Sequence, residues 1–334
     1  MITSGADVMV DARWVGVHGI GRFASEVIGR LGSVRELPST VRLLSPVEPV
    51  WLSWVLGAAR PQVFFSPGFN PPLGSPVPIV FTIHDLMHVL CPEESSTTKR
   101  AYYQCVVKPG ARNAACVLVG SEHAERQVLD WLGFPVRTAV VGYGVAKPFV
   151  AEGRRHREGR PYLLYVGNRK PHKNIRRLLA AFSQLSPSLG VLLLMAGAAT
   201  RESELLVHEC GVRDRVRFIG VVDDSVLAEY YRGALALLIP SLEEGFGLPA
   251  LEAMACGLPV VAGDIPALRE VVGSDGIYVD PRDVSSILTG IVRVIEDGEL
   301  REATARNNTL RARTFTWDRC AERVRDVLQS VSVR

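Results

Sequence analysis

The sequence lacks any long apolar run. No stretch approaches the roughly 18 uninterrupted apolar residues of a membrane-spanning helix. The amino-terminal residues do not resemble a secretory signal, because Asp7 and Asp11 flank the short apolar stretch Val8–Val10. Cys-x-x-Cys pairs are absent and the six cysteines are scattered, which argues against a zinc ribbon and predicts reduced thiols. We therefore expect a cytoplasmic protein.

The sequence also has little charge of one sign. Its net charge of +3 is too small to predict a nucleic-acid partner. It contains no Asp-x-Asp pair, so a metal-bridged diphosphate is not predicted, and we expect side chains to supply any cations. A hydrophobic fraction of 47% and a charged fraction of 22% are typical of a globular protein. The 334 residues predict two domains at about 100–200 residues each.

Strand-like apolar runs alternate with helical patterns along the chain. The candidate strands of the first half are residues 8–10, 41–44, 63–65, 79–83, 116–119 and 138–141. Those of the second half are residues 162–166, 191–195, 216–219, 234–239 and 259–262. Such βαβ alternation predicts an α/β fold with doubly wound parallel sheets. The polar, glycine-bearing residues 151–160 are predicted to form a solvated linker between the halves.

The most informative stretch is residues 234–261. An apolar strand is followed by a glycine-rich loop and then by Pro249, which suits the first turn of a helix. Free amides and the helix dipole converge at such a loop and favour an anion. Glu244 and Glu252 flank this position, and a carboxylate accepts hydrogen bonds from two hydroxyls. The stretch predicts a site for a sugar nucleotide.

The string from Glu244 to Glu252, EGFGLPALE, resembles the Glu-x7-Glu motif of retaining GT-B glycosyltransferases, specifically glycosyltransferase family 4. The resemblance implies two Rossmann-like domains facing each other across a cleft. On this reading residues 1–155 bind the acceptor and residues 156–312 bind the nucleotide sugar. Residues 313–334 would form a helix that packs back on the amino-terminal domain.

The resemblance also implies roles for individual residues. Glu252 would bind the ribose hydroxyls and Glu244 those of the transferred hexose, while Lys173 would stabilise the leaving diphosphate. The implied catalytic residues are His84, Lys173 and Glu244. The implied donor-binding residues are Gly19, Gly21, Arg169, Lys173, Asp223, Glu244, Gly245, Phe246, Gly247, Leu248 and Glu252. On the acceptor side they are Asp85, Ser121 and Glu122.

Several of these residues have an ordinary structural interpretation. His84 closes a strand, where a histidine is often part of the core. Asp223 and Ser121 are good helix N-caps. The glycines at positions 19 and 21 suit a simple strand-to-helix turn. Arg169 can be an exposed loop charge, and it follows Asn168, which stands where the family usually has arginine.

Parts of the sequence also resemble the motifs of proteins with other functions. His84 and His88 resemble the His-Glu-x-x-His signature of zinc hydrolases, although the first histidine ends a strand. The spacing of Gly16, Gly19 and Gly21 is not the Gly-x-Gly-x-x-Gly of dinucleotide-binding folds. A GT-B epimerase or phosphorylase, or a non-catalytic sugar-nucleotide sensor, would share the donor motif.

The overall pattern resembles bacterial mannosyltransferases, or related hexosyltransferases, of surface-polysaccharide assembly. It rests on the strings Gly-Ile-Gly-Arg, Pro-x-Lys-Asn and Gly-Asp-Ile-Pro-Ala-Leu-Arg-Glu. The resemblance implies a hexose donor, first GDP-mannose and in general a GDP-sugar before a UDP-sugar, with no cofactor. The acceptor would be a saccharide, a lipid-linked saccharide or a small molecule. Residues 99–108 mix cations, tyrosines and apolar side chains, and such a helix can touch the inner membrane surface.

Overall fold

The computed structural model describes residues 7–17 and 19–332 and divides the chain into two compact units. The first unit comprises the described residues up to Gly144 together with those from Phe315 onward. The second unit is Val145–Thr314. Within the described residues no helix is both long and apolar enough to cross a bilayer.

The first unit contains a six-stranded sheet in which all neighbouring strands are parallel, in the order β2-β1-β3-β4-β5-β6. Its strands are β1 Val8–Val10, β2 Arg35–Glu36, β3 Val63–Ser66, β4 Ile79–Ile83, β5 Cys116–Val119 and β6 Thr138–Val140. Its helices are α1 Ile20–Leu31, α2 Glu48–Ala59, α3 Met87–Leu90, α4 Thr97–Tyr102, α5 Lys108–Asn113, α6 Glu122–Leu132 and α14 Trp317–Ser332. A π-helical turn, Tyr103–Val107, joins α4 to α5.

The second unit contains a second six-stranded parallel sheet, in the order β12-β11-β10-β7-β8-β9. Its strands are β7 Tyr162–Val166, β8 Leu192–Ala196, β9 Val216–Gly220, β10 Leu237–Ile239, β11 Val260–Gly263 and β12 Ile277–Val279. Its helices are α7 Ile175–Ser183, α8 Arg201–Glu209, α9 Asp224–Gly233, α10 Leu248–Ala255, α11 Pro266–Val272, α12 Val284–Glu296 and α13 Gly298–Ala312. Counted from β7, this is the Rossmann strand order. The predicted doubly wound α/β fold is confirmed.

Both sheets are covered by amphipathic helices, as the buried β-strands require. In the first unit Phe23 and Val27 of α1 are fully buried, and α1 packs against α14. Trp317 anchors the start of α14 with only 3% of its surface exposed. In the second unit α7 and α12 pack together, and their apolar faces meet the strands in one buried cluster.

Two strand assignments differ from the prediction. Residues 41–44 form a turn, in which Leu44 has a φ of +57° and its amide donates to a carboxylate oxygen of Glu48. The strand beside β1 is instead the two-residue β2. Residues 277–279 form β12 at the edge of the second sheet, although three residues after a glycine give little sequence signal.

The basic stretch 151–160 is mostly exposed, as predicted for a solvated segment, but it also contacts the second unit. The amide of His156 donates to the carbonyl of Glu229 on α9, and the ring of His156 lies 4.0 Å from that of Tyr230. Arg232 of α9 also donates to the carbonyl of Arg154. These contacts place the stretch in the second unit. The division therefore falls at Gly144, before the predicted boundary at 155, because the intervening residues pack on α9.

Candidate functional site

The strongest candidate site lies at the switch point of the second sheet. Strands β7 and β10 are neighbours there, while the chain continues from each of them toward opposite edges of the sheet. Ligands of open α/β sheets bind outside the carboxyl ends of strands at such a point. Lys173 lies on the 3-10 turn Pro171–Lys173 after β7, and Glu244 lies in the loop after β10. The topology thus brings together two residues that are 71 positions apart.

Lys173 and Glu244 form a close ion pair. Nζ of Lys173 lies 2.7 Å from Oε1 of Glu244 and 2.8 Å from Oε2. The hydroxyl of Ser241 donates to Oε1 at 2.7 Å. The side chains of Lys173 and Glu244 are only 13% and 7% exposed. Because the ion pair holds the Lys173 side chain in place, its ammonium group is available at this edge of the sheet to interact with an anion.

Hydrogen bonds to main-chain carbonyls hold the two loops together. The amide of Leu242 donates to the carbonyl of His172 at 2.8 Å. Nδ2 of Asn174 donates to the carbonyls of Pro240, at 2.9 Å, and Pro281, at 2.6 Å. Asn174 is 3% exposed and has a φ of +62°, a left-handed conformation that asparagine tolerates better than most residues. The Lys173 turn and the Glu244 loop are therefore one braced assembly.

The glycine-rich loop connects this assembly to the start of α10. Gly247 has a φ of +101° and precedes Leu248, the first residue of the helix, with Pro249 in its first turn. Pro249 has no N–H, the amide of Ala250 donates to the carbonyl of Gly247 at 2.9 Å, and the helix dipole adds positive potential at this end. Phe246 in this loop is buried, with 5% of its surface exposed. A strand, a glycine loop and a helix start are thus present where the sequence predicts them, and an anion site there stays a prediction.

Glu252 lies about one turn into α10 and is 7% exposed. The phenol of Tyr231, which is fully buried on α9, donates to its Oε2 at 3.1 Å. This contact sets the orientation of the carboxylate. The structure thus brings Glu244, Glu252 and the Gly245–Leu248 loop to the same strand-helix junction, as the motif predicted.

Arg169, which the sequence predicts as a phosphate ligand, has its guanidinium in contact with other groups of the protein. Its Nη1 donates to the carbonyls of Gly167, at 2.7 Å, and Ala196, at 3.2 Å. Its guanidinium also lies 5.2 Å from the ring centroid of Tyr165, and burial lowers its pKa. These contacts join the carboxyl ends of β7 and β8, so Arg169 braces the turn that precedes Lys173. Asn168 contributes locally, because its Oδ1 accepts from the amide of Lys170.

Asp223 lies at the other end of the same sheet edge, after the outer strand β9. It occupies the N-cap position of α9, but its side chain makes no capping hydrogen bond, and the residue is exposed. Its carboxylate therefore does not cap α9. A role toward a nucleobase stays a prediction.

In the first unit His84 is part of a buried aromatic cluster after β4. Its Nε2 donates to the carbonyl of Pro67 at 2.7 Å, so Nδ1 accepts from the hydroxyl of Tyr143 at 2.5 Å. Phe23 meets its ring edge-on at 4.9 Å. Burial lowers the pKa of His84, so the neutral ring is favoured. Both nitrogens have partners, and the residue is 8% exposed.

The zinc-hydrolase interpretation is wrong for this pair of histidines. His84 precedes the helix that carries His88, so the two do not lie one turn apart on a helical face. Among the described residues no group of three or more histidine, cysteine or acidic side chains is arranged to hold a metal ion.

The acceptor-side candidates have local partners in the first unit. Oδ1 of Asp85 accepts from the amide of Met87 at the start of α3. Ser121 is fully buried and caps α6 through the amide of Ala124. Glu122 is exposed and lies 3.9 Å from Arg126 one turn along the same helix. The capping bond of Ser121 agrees with its predicted N-cap position. An acceptor role for Asp85, Ser121 and Glu122 stays a prediction.

The glycine loop before α1 is tightly closed. Gly19 has a φ of +56° at the N-cap of α1. A Cβ on Gly21 would lie 2.8 Å from the Cα of Gly16, so only glycine permits this approach. The hydroxyl of Ser25 donates to the carbonyls of Gly16 and Gly21. The loop is thereby held beside the carboxyl end of β1.

Sequence reasoning missed a buried polar network at the switch point of the first sheet, between β1 and β3. Nε and Nη2 of Arg13 bind the two oxygens of Asp11 at 2.7 and 2.6 Å, and Nη2 binds Glu48 at 2.5 Å. Nδ2 of Asn70 donates to both carboxylates. Asp11 and Glu48 are fully buried, and burial raises the pKa of Glu48. The position of Asp11 directly after a strand was the available signal, but Glu48 and Asn70 are remote in sequence.

The two Rossmann-like sheets define the fold class, an α/β fold of the GT-B type. Residues 147–311 match the family model of glycosyl transferases group 1. The chain is 28% identical over 306 residues to the O-antigen chain mannosyltransferase B of Escherichia coli, which covers 87% of this chain and 80% of that protein. It is 36% identical over 181 residues to a D-inositol 3-phosphate glycosyltransferase of Xylanimonas cellulosilytica, covering 52% of this chain and 43% of the relative.

Solved structures support the fold along nearly the whole chain. Sucrose-phosphate synthase from Thermosynechococcus elongatus superposes with a TM-score of 0.76 at 21% identity, over 98% of this chain and 99% of that one. WaaG, a glycosyltransferase involved in lipopolysaccharide biosynthesis, gives a TM-score of 0.74 at 17% identity over 96% and 99%. The predicted GT-B fold class is confirmed.

Proposed function

We propose that this chain is a retaining, metal-independent glycosyltransferase of family 4 that moves a hexose from a nucleotide-diphosphate sugar to an acceptor. The observation that carries the proposal is the Lys173–Glu244 pair at the β7–β10 switch point, beside the glycine loop and Glu252. This arrangement offers a cation and helix amides for a diphosphate and two carboxylates for hydroxyls. The group 1 domain and the mannosyltransferase relative support the same chemistry.

Each residue has a distinct role in the proposed reaction. Lys173 and the amides of the Gly245–Leu248 loop stabilise charge that grows on the leaving diphosphate, the kind of preorganised electrostatics that often dominates a rate. Glu244 accepts from hydroxyls of the hexose, and Glu252 accepts from those of the ribose. The leaving phosphate takes the acceptor proton on the face from which it departs.

His84 has a more limited role in this proposal. Its ring nitrogens already bind Pro67 and Tyr143, so a direct bond to a sugar hydroxyl requires that one of these partners be released. We assign it a packing role within the first unit. Donor-binding roles for Gly19 and Gly21 and acceptor-side roles for Asp85, Ser121 and Glu122 stay predictions.

The proposed donor is GDP-mannose, with GDP-sugars ahead of UDP-sugars. Two relatives are described as O-antigen chain mannosyltransferases, one from Escherichia coli and one from Salmonella typhimurium. The proposed acceptor is a saccharide, free or lipid-linked, at the cytoplasmic face of the membrane. Asp223 is the candidate partner for guanine, because a carboxylate accepts from two adjacent N–H groups.

The first test is nucleotide-dependent stabilisation of the whole chain. GDP, UDP, ADP and dTDP are compared by thermal shift, with Glu252→Ala as the site variant. A diphosphate at about 100 times its dissociation constant adds roughly 2.7 kcal/mol, so one base should stand out for the wild type and fail for the variant. A flat response to every diphosphate would exclude the donor site.

The second test identifies the reaction. Incubation with GDP-mannose and a panel of saccharide acceptors should release GDP only when acceptor is present, and nuclear magnetic resonance should show an α-linked product. Release of an isomerised nucleotide sugar without acceptor would indicate an epimerase, and a requirement for inorganic phosphate would indicate a phosphorylase. Donor binding without turnover on any acceptor would indicate a sensor.

A further inference from the structure

Asn174 lies between the turn that carries Lys173 and helix α7. It is the N-cap residue of α7, and its main chain is left-handed, with a φ of +62° and a ψ of +32°. An asparagine at an N-cap ordinarily accepts a hydrogen bond from an amide of the first helical turn. The side chain of Asn174 makes no such bond, so capping does not account for it.

The side-chain amide of Asn174 instead joins three elements at the carboxyl edge of the second sheet. Its two N–H groups donate to the carbonyl of Pro240, which follows β10, and to that of Pro281, which follows β12. Its Oδ1 accepts from Nη1 of Arg177 on α7 at 3.0 Å. Both hydrogens of the amide are thereby used while the residue is only 3% exposed.

The left-handed main chain does not explain why this residue is an asparagine. Glycine adopts that conformation without steric cost, whereas asparagine only tolerates it. A glycine would lack the three hydrogen bonds of the side-chain amide. The conformation and the hydrogen bonds of position 174 can therefore be separated by substitution.

The bond from Asn174 to Pro240 connects the segments that carry the two members of the ion pair. Asn174 directly follows Lys173, and Pro240 begins the loop that carries Glu244. Ser241, the next residue of that loop, donates to Oε1 of Glu244 at 2.7 Å. A shift of position 174 would therefore move the ammonium group relative to the carboxylate and its serine partner.

We infer that Asn174 is a positioning residue, whose side-chain amide holds Lys173 where the reaction requires a cation. The inference rests on the proposed function, in which Lys173 stabilises the leaving diphosphate. Asn174 itself contacts no reacting group in this account and acts through Lys173. Such an action can be large, because misplacing a catalytic group by about 1 Å can lower a rate by about 100-fold.

The first arm of the test measures turnover of GDP-mannose by Asn174→Gly, which removes the amide and keeps the left-handed main chain accessible. We expect kcat to fall by about tenfold with little change in GDP affinity, because Glu252 and the start of α10 are unaltered. Asn174→Asp keeps the size of the side chain but loses both N–H donors, and it should lower kcat in the same way.

A double-mutant cycle with Lys173→Ala distinguishes positioning from general destabilisation. A residue that acts through Lys173 has nothing left to position in that background, so Asn174→Gly should then have little further effect on kcat. Losses that multiply would show that Asn174 acts independently of Lys173 and would overturn the inference.

The second arm measures acetylation of Lys173 by an N-hydroxysuccinimide ester, with mass spectrometry of the peptides. Lys170, exposed on the same loop, provides the internal reference. The ion pair and an exposure of only 13% should make Lys173 react slowly in the wild type. Asn174→Gly should raise the rate at Lys173 several-fold and leave that at Lys170 unchanged.

Asn308→Ala is the matched control for loss of a buried amide. Asn308 is 1% exposed on α13, and its Nδ2 donates at 3.1 Å to the carbonyl of Leu258, which precedes β11 at the opposite edge of the sheet. This variant should lower the melting temperature without accelerating acetylation of Lys173. Equal acetylation rates at Lys173 in Asn174→Gly and Asn308→Ala would overturn the inference.

The two arms separate this inference from the proposed function. Acetylation requires no substrate, so it tests the hold of Asn174 on Lys173 even if no nucleotide sugar is turned over. A chain that is inactive with every donor but shows the expected acetylation pattern would refute the proposed reaction and keep the positioning of Lys173. Normal turnover by Asn174→Gly would refute the positioning role and keep the reaction.

Discussion

At the residue scale, Lys173 and Glu244 pair with each other and are also proposed to bind the donor. Their mutual ion pair, with side chains 13% and 7% exposed, keeps both charges ordered at the switch point. The same groups are proposed to bind different parts of the donor, a phosphate for Lys173 and a sugar for Glu244. Breaking a buried pair leaves one charge uncompensated, so a single substitution acts on stability as well as on the reaction.

Lys173→Ala should lower kcat more than it weakens donor binding, because the charge on the leaving diphosphate is greatest in the transition state. Steady-state kinetics with separate measurement of donor affinity checks this. Lys170→Ala is the matched control, since Lys170 lies on the same loop, is exposed, and should have little effect. Equal losses in kcat and affinity would mean that Lys173 only anchors the donor.

Glu252→Ala should weaken donor binding by about 1.5–3 kcal/mol, the usual value of hydrogen bonds to a charged group. Tyr231→Phe removes only the phenol that orients Glu252 and should give a smaller loss in the same direction. Isothermal titration with GDP measures both. The control is Glu243→Ala, an acid one residue before Glu244. Unchanged affinity in Glu252→Ala would disprove its assignment to the ribose.

The burial of His84 predicts that the free energy of unfolding depends on pH. Burial lowers its pKa in the folded state, whereas the unfolded ring has a pKa of about 6.5. Below that pH the unfolded chain binds more protons, so the free energy of unfolding falls as pH falls, by up to about 1.4 kcal/mol per pH unit. Denaturant titrations between pH 5 and 7.5 should show a shallower slope for His84→Gln. His208→Gln, on the exposed last turn of α8, is the control for replacing a histidine outside this cluster.

The short-range parts of the site could be predicted from sequence. Glu244, the glycine loop and Glu252 lie within nine residues, so strand, loop and helix signals suffice to place them together. The ion pair between Lys173 and Glu244 could not be foreseen, because it depends on the order of strands in the sheet. Arg169 shows the same limit: its carbonyl partner on Ala196 lies 27 residues away.

At the scale of elements, the start of α10 depends on one backbone position. Gly247 has a φ of +101°, and a Cβ there would lie 2.7 Å from Cδ2 of Leu268 on α11. Gly247→Ala should therefore destabilise the chain by about 1–3 kcal/mol and weaken GDP binding by tilting the loop amides. Thermal melts and titration measure the two effects.

Gly190→Ala separates backbone strain from the contact with Leu268. Gly190 also has a positive φ, +65°, but a Cβ there would meet nothing within 4 Å. It should cost some stability while leaving GDP affinity unchanged. If Gly247→Ala matched Gly190→Ala in both measurements, the loop would not be a rigid anion site.

The switch points of the two sheets are built differently. In the second sheet the elements after β7 and β10 carry a cation, two acids and a helix start, which suit a ligand. In the first sheet the elements after β1 and β3 are joined by the network of Asp11, Arg13, Glu48 and Asn70, whose charges largely satisfy one another. Glu48 is also the first residue of α2, so this network sets the position of that helix.

At the scale of the whole molecule, the chain consists of two compact units with separate sheets, and the proposed nucleotide contacts on the second sheet belong to Val145–Thr314. GDP should therefore stabilise the units unequally. At about 100 times the dissociation constant the gain of roughly 2.7 kcal/mol corresponds to several degrees at about 2–4 °C per kcal/mol. Calorimetry of the full chain should show one transition moving with GDP while the other stays in place.

Hydrogen exchange assigns the moving transition to a unit. GDP should slow exchange in peptides that cover Pro171–Lys173 and the start of α10, and it should leave the strands β1–β6 of the first unit unchanged. Glu252→Ala is the control, since it keeps both sheets but should lose the protection. Protection confined to the first unit would relocate the nucleotide to the network at β1 and β3. A single transition that shifts as a whole would show that the units unfold together, and the exchange pattern would then decide the location alone.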